Sequence, residues 1–359
     1  MDIHEATHAY EAWVRDHTRV VATDLRLKHR RMHEDLFVFL RGTFYRWLQR
    51  WPAVCAGLLD APRVLSVGDL HIENFGTWRD AEGRLIWGVN DVDEACVQPY
   101  TQDLVRLAAS AMLAAQTGAF AISRGDACAA ILEGYGASLA CEGRPLVLAE
   151  RRRWLRTIAL SDLRDPVTFW SKFTAQRTSR GRIPHRALRA ALPESGLPYR
   201  VVRRVAGVGS LGRPRFVALA EWRGGFVARE AKALVPSASA WLRGQSGSPG
   251  WGVTLLRRAI RAPDPCFGIH GSWIVRRLAP DCARIDLATL ATERDEWRLL
   301  RAMGWETANL HLGSASATLR RDLRLRRGPW LARAATDMIQ AVTKDWRDWQ
   351  RRARPRRGE

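Results

Sequence analysis

The stretch from Tyr199 to Ala238, YRVVRRVAGVGSLGRPRFVALAEWRGGFVAREAKALVPSA, constrains the fold most, because β-rich runs alternate there with glycine-rich breaks. That alternation predicts a three-stranded antiparallel meander. A further strand-like run, SWIVRRLAP, ends at Pro280. Elsewhere the apolar residues recur at helical spacing. Two N-terminal helices are expected, one over roughly His4–Thr23 and one over Met32–Trp51, where Leu36, Phe39, Leu40, Phe44 and Trp47 share a face. Leu104, Leu107, Ala108, Ala111 and Ala115 mark a buried helix within Thr101–Ala119, and helical stretches run on to about Gln176. Helices resume over about Leu287–Leu312 and Trp330–Trp349. The expected class is therefore α+β, with a small antiparallel-sheet lobe and a larger helical lobe. Residues 1–63 supply helices that pack on the main body, 64–192 a loop-bearing helical lobe, 193–282 the β lobe, and 283–359 further helices and a basic tail. The boundary before the β lobe is placed at Pro193–Pro198.

The densest chemistry lies in Gly68-Asp69-Leu70-His71-Ile72-Glu73-Asn74, followed by Asn90-Asp91-Val92-Asp93. The apolar runs Val64–Val67 and Leu85–Val89 read as strands flanking a polar loop. Phosphoryl transfer needs a carboxylate to position the acceptor, an oxygen ligand for magnesium, and a second carboxylate bridging metal to phosphate. Asp69, Asn74 and Asp91 supply that set in order, and Asp93 and Glu94 stand close enough to assist with metal. The competing account is that Asp and Asn merely make turns here. Asp103 and Arg106, on the following helix, are expected to make structural contacts.

Gly207-Val208-Gly209-Ser210-Leu211-Gly212 forms a GxGxxG string. In a dinucleotide fold such glycines open a helix, but Arg213-Pro214-Arg215 leads into the strand-like Phe216–Trp222. Strand, glycine turn, strand is the phosphate cover of kinases. After the turn at Arg223-Gly224-Gly225, the third strand carries two candidate phosphate-binding cations, Arg229 and Lys232. Alternation places them on opposite faces and does not choose between them.

The segment GDLHIEN followed by a strand ending at Asp91 resembles the aminoglycoside and choline kinase pattern, GDLHxxN and then a strand ending in Asp. The resemblance implies that Asp69 is the catalytic base, Asn74 a metal ligand, Asp91 the DFG-type aspartate, and His71 a site-shaping residue. Val67 stands where those kinases usually carry His. Because the glycine loop follows the catalytic loop rather than preceding it, the expected architecture is a circularly permuted, two-lobed, protein-kinase-like fold. Its segment Glu306–His311 resembles the helix that ordinarily leads into the catalytic loop. RMHEDLFVFLRG, VGDLHIENFG, NDVDEA with DLVRLAASA, and GVGSLG with REAKA also resemble a bacterial family catalogued as domain of unknown function 2252, over most of the chain. That resemblance implies a kinase-like site, and the kinase-like loops together lead to ATP and magnesium as the expected cofactors. It names no substrate, and Arg229-Glu230-Ala231 stands where KEA is expected.

Lys and Arg total 57 against 37 Asp and Glu, a formal net charge of +20. Such a balance suits an anionic partner, and nucleic acid stays a partner class, although the arginines are spread along the chain rather than gathered on one element. A pseudokinase or nucleic-acid-associated scaffold using the arginine-rich surface is the nonenzymatic alternative. A metallophosphoesterase would need a downstream GNH string, and the chain has none. Six cysteines without a CxxC pair signal neither a zinc site nor a disulfide framework. The opening MDIHEATHAYEAW lacks a signal-peptide pattern and no apolar run approaches bilayer length, so a cytoplasmic protein without membrane contact is expected. The acceptor, the choice between phosphoryl and nucleotidyl transfer, and the oligomeric state are not written in the sequence.

Overall fold

The computed structural model describes residues 1–116, 118–148, 152–161, 165–245, 250–282 and 293–352. In chain order, α1 (Ile3–His17), α2 (Ala22–Glu34), α3 (Leu36–Gly42) and α4 (Phe44–Val54) lead into β1 (Arg63–Ser66), β2 (Phe75–Arg79), β3 (Leu85–Val89) and β4 (Cys96–Pro99). Five helices follow, α5 (Tyr100–Gln116), α6 (Arg124–Ala140), α7 (Arg153–Ser161), α8 (Pro166–Thr174) and α9 (His185–Ala191). The strands β5 (Arg200–Arg203), β6 (Arg215–Trp222) and β7 (Gly225–Ala233) come next, then α10 (Ala238–Leu242), α11 (Trp251–Arg258), β8 (Gly268–His270), β9 (Trp273–Leu278), α12 (Glu293–Leu325) and α13 (Trp330–Arg352).

Four helices stand where two were expected at the N-terminus. A capping box between Asp2 and Glu5 starts α1, and Thr18, in extended backbone, stops it at His17. Asp35 divides the second expected helix, because it terminates α2 and its carboxylate then accepts the Val38 N–H at 2.7 Å to start α3. Helical periodicity survives such a break, so spacing alone does not reveal it. The loop expected between two strands also contains a strand of its own: β2 forms a hairpin with β3, while β1 pairs with β4. Of the helix expected at Leu287–Leu312, residues 287–292 lie outside the described residues, and α12 runs from Glu293 on to Leu325. The basic tail beyond Arg352 likewise lies outside them.

At the centre of the helical body, α5 is buried at every residue from Tyr100 to Ala114. The main core gathers around it from α1, α4, α6, α12 and α13. The meander is the start of a five-stranded antiparallel sheet, β5-β6-β7-β9-β8. Arg223 and Gly224 both take positive φ between β6 and β7, the geometry of a two-residue type I′ hairpin. Phe169 and Phe173 of α8 cover part of one sheet face, against Val202, Val217, Leu219, Ala228 and Leu278. Ala187 and Leu188 of α9 cover the other, against Ala218, Ala231 and Val275. Both helices precede the boundary expected at Pro193–Pro198, yet their apolar faces belong to the sheet. No helix among the described residues is long and apolar enough to cross a membrane.

Candidate functional site

One face of α5 builds the 67–74 loop. Asp103, Arg106 and Ser110 follow helical spacing, and each fastens a different point of it. The Asp103 carboxylate accepts the backbone N–H groups of Val67 at 2.7 Å and Gly68 at 3.0 Å. Gln98 donates to that carboxylate, and His311 on α12 lies 3.1 Å from it. Ser110 accepts the Ile72 N–H at 3.0 Å. The fully buried Arg106 guanidinium lies between the rings of Phe44 and Trp47, 4.9 Å from each centroid, and donates from Nε to Asp69 Oδ1 at 2.7 Å. Gly68 has φ +86°, and a Cβ there would stand 2.3 Å from the Glu94 carbonyl oxygen. The turn therefore requires glycine. At Val67 the loop is held by Asp103, with His311 beside the same carboxylate.

Asn74 clasps this loop to the next one. Its amide nitrogen donates to the carbonyls of Asp69 at 3.1 Å and Asp91 at 3.0 Å, while its oxygen accepts the Asp91 N–H at 2.9 Å. From the sheet, Lys232 reaches the same place: its ammonium lies 3.0 Å from Asp91 Oδ1 and pairs with Asp93 as well. Burial pushes the Asp91 carboxyl up, but the charges of Lys232 and Arg276 outweigh it and hold the group well below the usual carboxylate range. Asp93 is raised instead, by burial and by the negative charge of Asp91 beside it. Asp69 is also raised, since burial exceeds the opposing pull of Arg106 and Arg41. A raised carboxyl pKa is the condition in which a carboxylate can take a proton from a hydroxyl.

Beside Lys232 on the same sheet face, Glu230 is buried among Arg204, Arg215 and Arg276. One carboxylate among three guanidinium groups leaves that end of the sheet positive. Arg215 also donates to Ser210 Oγ at 2.8 Å, which ties the glycine loop to the sheet. Gly209 passes close to the 67–74 loop: a Cβ on it would lie 3.2 Å from the Arg41 carbonyl and 3.5 Å from Asp69 Oδ2. Gly212 sits further back, its carbonyl accepting the Val21 N–H at 2.8 Å. Arg229 points to the opposite face and donates to the Ala191 carbonyl at 2.7 Å. Of the two candidate cations, Lys232 faces the aspartates.

Asp69, His71, Asn74, Asp91, Asp93, Gly207, Gly209 and Ser210 thus line a single cavity of about 70 Å³. Arg41 supports its floor, with Nη1 donating to Glu73 at 2.5 Å. The residues that sequence spacing left without a role in the chemistry are Lys28, Arg106, Arg213 and Arg215. For Arg106 a signal existed, because charged side chains on an otherwise apolar helix need a buried partner. A wider cavity of about 800 Å³ lies between α2 and α13, lined by His4, His29, His33 and Trp349 among others. It touches neither loop.

Asp91, Asp93 and Asn74 offer hard oxygen donors of the type that magnesium takes alongside water. The Lys232 ammonium rests on both carboxylates, in the place that a metal cation would take. Among the described residues no group of three or more His, Cys, Asp or Glu side chains is arranged around a common point. The fit is to a sparsely ligated, substrate-shared ion rather than to an all-protein cage.

Residues 19–165 match the model of a family described as "Uncharacterized protein conserved in bacteria (DUF2252)". The match is a similarity over the N-terminal helices, both site loops and α5, so it includes Asp69, Asn74, Asp91, Asp103 and Arg106. The glycine loop, Lys232 and the whole five-stranded sheet lie outside the DUF2252 match. No curated protein and no solved structure matches the chain.

Proposed function

We propose that the protein is an ATP- and magnesium-dependent phosphotransferase with a circularly permuted, protein-kinase-like arrangement, acting on a hydroxyl acceptor. One observation carries this reading. Lys232, from the strand after the glycine loop, meets Asp91 across 141 positions of chain, while Gly209 of that loop covers Asp69. A phosphate cradle and a carboxylate pair thereby face one another, as phosphoryl transfer requires. The continuous run of α12 beside β1, where the Leu65 N–H donates to Ser314, supports the permuted order.

In this mechanism Lys232 and the N–H groups of the glycine loop bind the nucleotide phosphates. Asp91, with Asn74 and Asp93, would hold magnesium, which neutralises charge on the phosphates when bound. Lys232 then exchanges Asp91 for a phosphate oxygen. Asp69 orients the acceptor hydroxyl and takes its proton as the new P–O bond forms and the nucleoside diphosphate leaves. Arg106 keeps the Asp69 carboxylate at a fixed angle. A cavity of about 70 Å³ holds a few water molecules and not a nucleotide, so the glycine loop lifts to admit one.

Thermal unfolding with ATP, with and without magnesium, tests the reading beside Asp91→Ala. A ligand that binds the native state raises its midpoint. The expected result is a magnesium-dependent rise that the variant loses. No rise in the wild-type protein at saturating nucleotide would leave the scaffold alternative. Product analysis with labelled ATP then separates phosphoryl from nucleotidyl transfer.

A further inference from the structure

Lys28 of α2 is 5% exposed and lines the same cavity as Asp69. A Cβ on Gly42 would meet Met32 Sδ at 2.7 Å and lie 3.4 Å from Lys28 Cε, so the bare glycine makes room for Met32, beside which the lysine stem packs. The other cations of the wall are already neutralised. Arg41 pairs with Glu73, and Arg213 pairs with Asp93 and Glu94. Among the described residues the Lys28 ammonium has neither a hydrogen bond nor a carboxylate in ion-pair range, and the charges of Glu11, Glu94 and Asp69 reach it only at a distance. Burying an ammonium without a counter-charge is costly, and such groups persist where a ligand supplies the missing partner. Burial lowers the Lys28 pKa, as that cost requires. The cavity volume of about 70 Å³ suits a small anion.

We propose that Lys28 is a substrate-binding residue that receives an anionic group of the acceptor, a phosphate or a carboxylate, while the acceptor hydroxyl lies at Asp69. The substrate class is then a small, anionic hydroxyl compound, not a neutral sugar or an amine. This rests on the function proposed above. The stacked rings of Tyr10 and Tyr45, 4.4 Å apart, line the same cavity and give the molecule's carbon frame an apolar wall.

The test uses the full chain and two probes, inorganic phosphate and acetate, with thermal midpoints read for the wild-type protein, Lys28→Met and Lys232→Met. The expected result is a rise with at least one probe that Lys28→Met weakens by about tenfold or more in apparent affinity and that Lys232→Met, which removes only the cation of the nucleotide side, weakens less. The probe that acts identifies the anion. An equal rise in Lys28→Met, a rise lost only in Lys232→Met, or no rise with either probe overturns the proposal. Should Lys28→Met fail to fold, Lys28→Gln takes its place with the same expectations. ATP with magnesium is run in parallel: an anion response without any nucleotide response would remove the kinase-like reading and leave the anion site standing.

Discussion

The two loops that meet at the cavity are held in opposite ways. The 67–74 loop is fastened from outside itself, by Asp103, Arg106 and Ser110 of α5 and by the Asn74 clasp onto Asp91. The glycine loop is held mainly by its own turns, such as Ser210 N–H to the Gly207 carbonyl at 3.2 Å, and by Arg215 and Val21 at its edges. The difference separates what must stay still from what must move. That fits the proposed function, in which a base positions a hydroxyl only if its own support is rigid, whereas a phosphate cover has to open.

Removing the outside support should therefore cost far more than loosening the cover. Asp103→Ala leaves two buried N–H groups and His311 without their shared acceptor, and a loss of about 3–5 kcal/mol is expected in denaturant unfolding. A loss below about 1 kcal/mol would break the comparison, because the 67–74 loop would then be held elsewhere. Asn74→Ala unpairs the Asp91 N–H and two carbonyls, with an expected loss of about 1–3 kcal/mol and of magnesium-dependent turnover. Ser210→Ala should change stability by no more than about 1 kcal/mol while hydrogen exchange speeds up at 207–212 alone. Exchange that also quickens at 67–74 would mean that the two loops move together.

The smallest effect expected is one of pH. Asp91 has its folded pKa depressed by Lys232 and Arg276, so its contribution is present above the unfolded value of about 4 and is lost as pH falls toward the folded one. The stability difference between the wild-type protein and Asp91→Asn should accordingly be present at pH 7 and shrink below about pH 4. Asp69 has the opposite sign: raised by burial, it destabilises the fold as it ionises on rising pH. Asp69→Asn should thus gain relative stability above that range, and a matching trend in the two variants would contradict their different surroundings.

Much of this was legible because the motifs are local. GDLHIEN and NDVDEA each place their polar groups within a few residues, and the β6–β7 turn follows from Arg223-Gly224-Gly225 alone. Asp35 shows where legibility ends: its role as a helix divider depends on a carboxylate turning back to one N–H, and the spacing of the apolar residues around it is unchanged.

The sequence by itself determined the α+β class, the positions of the two loops and the pair of cations to choose between, since alternation, turn chemistry and motif spacing are properties of neighbouring residues. Only the tertiary structure decided between Lys232 and Arg229, gave Arg106 to Asp69, and left Lys28 facing a cavity without a counter-charge. Those outcomes depend on which face of a sheet meets which helix. That is set by packing between segments that lie 37 residues apart for Arg106 and Asp69 and 141 apart for Lys232 and Asp91, and no local pattern contains it.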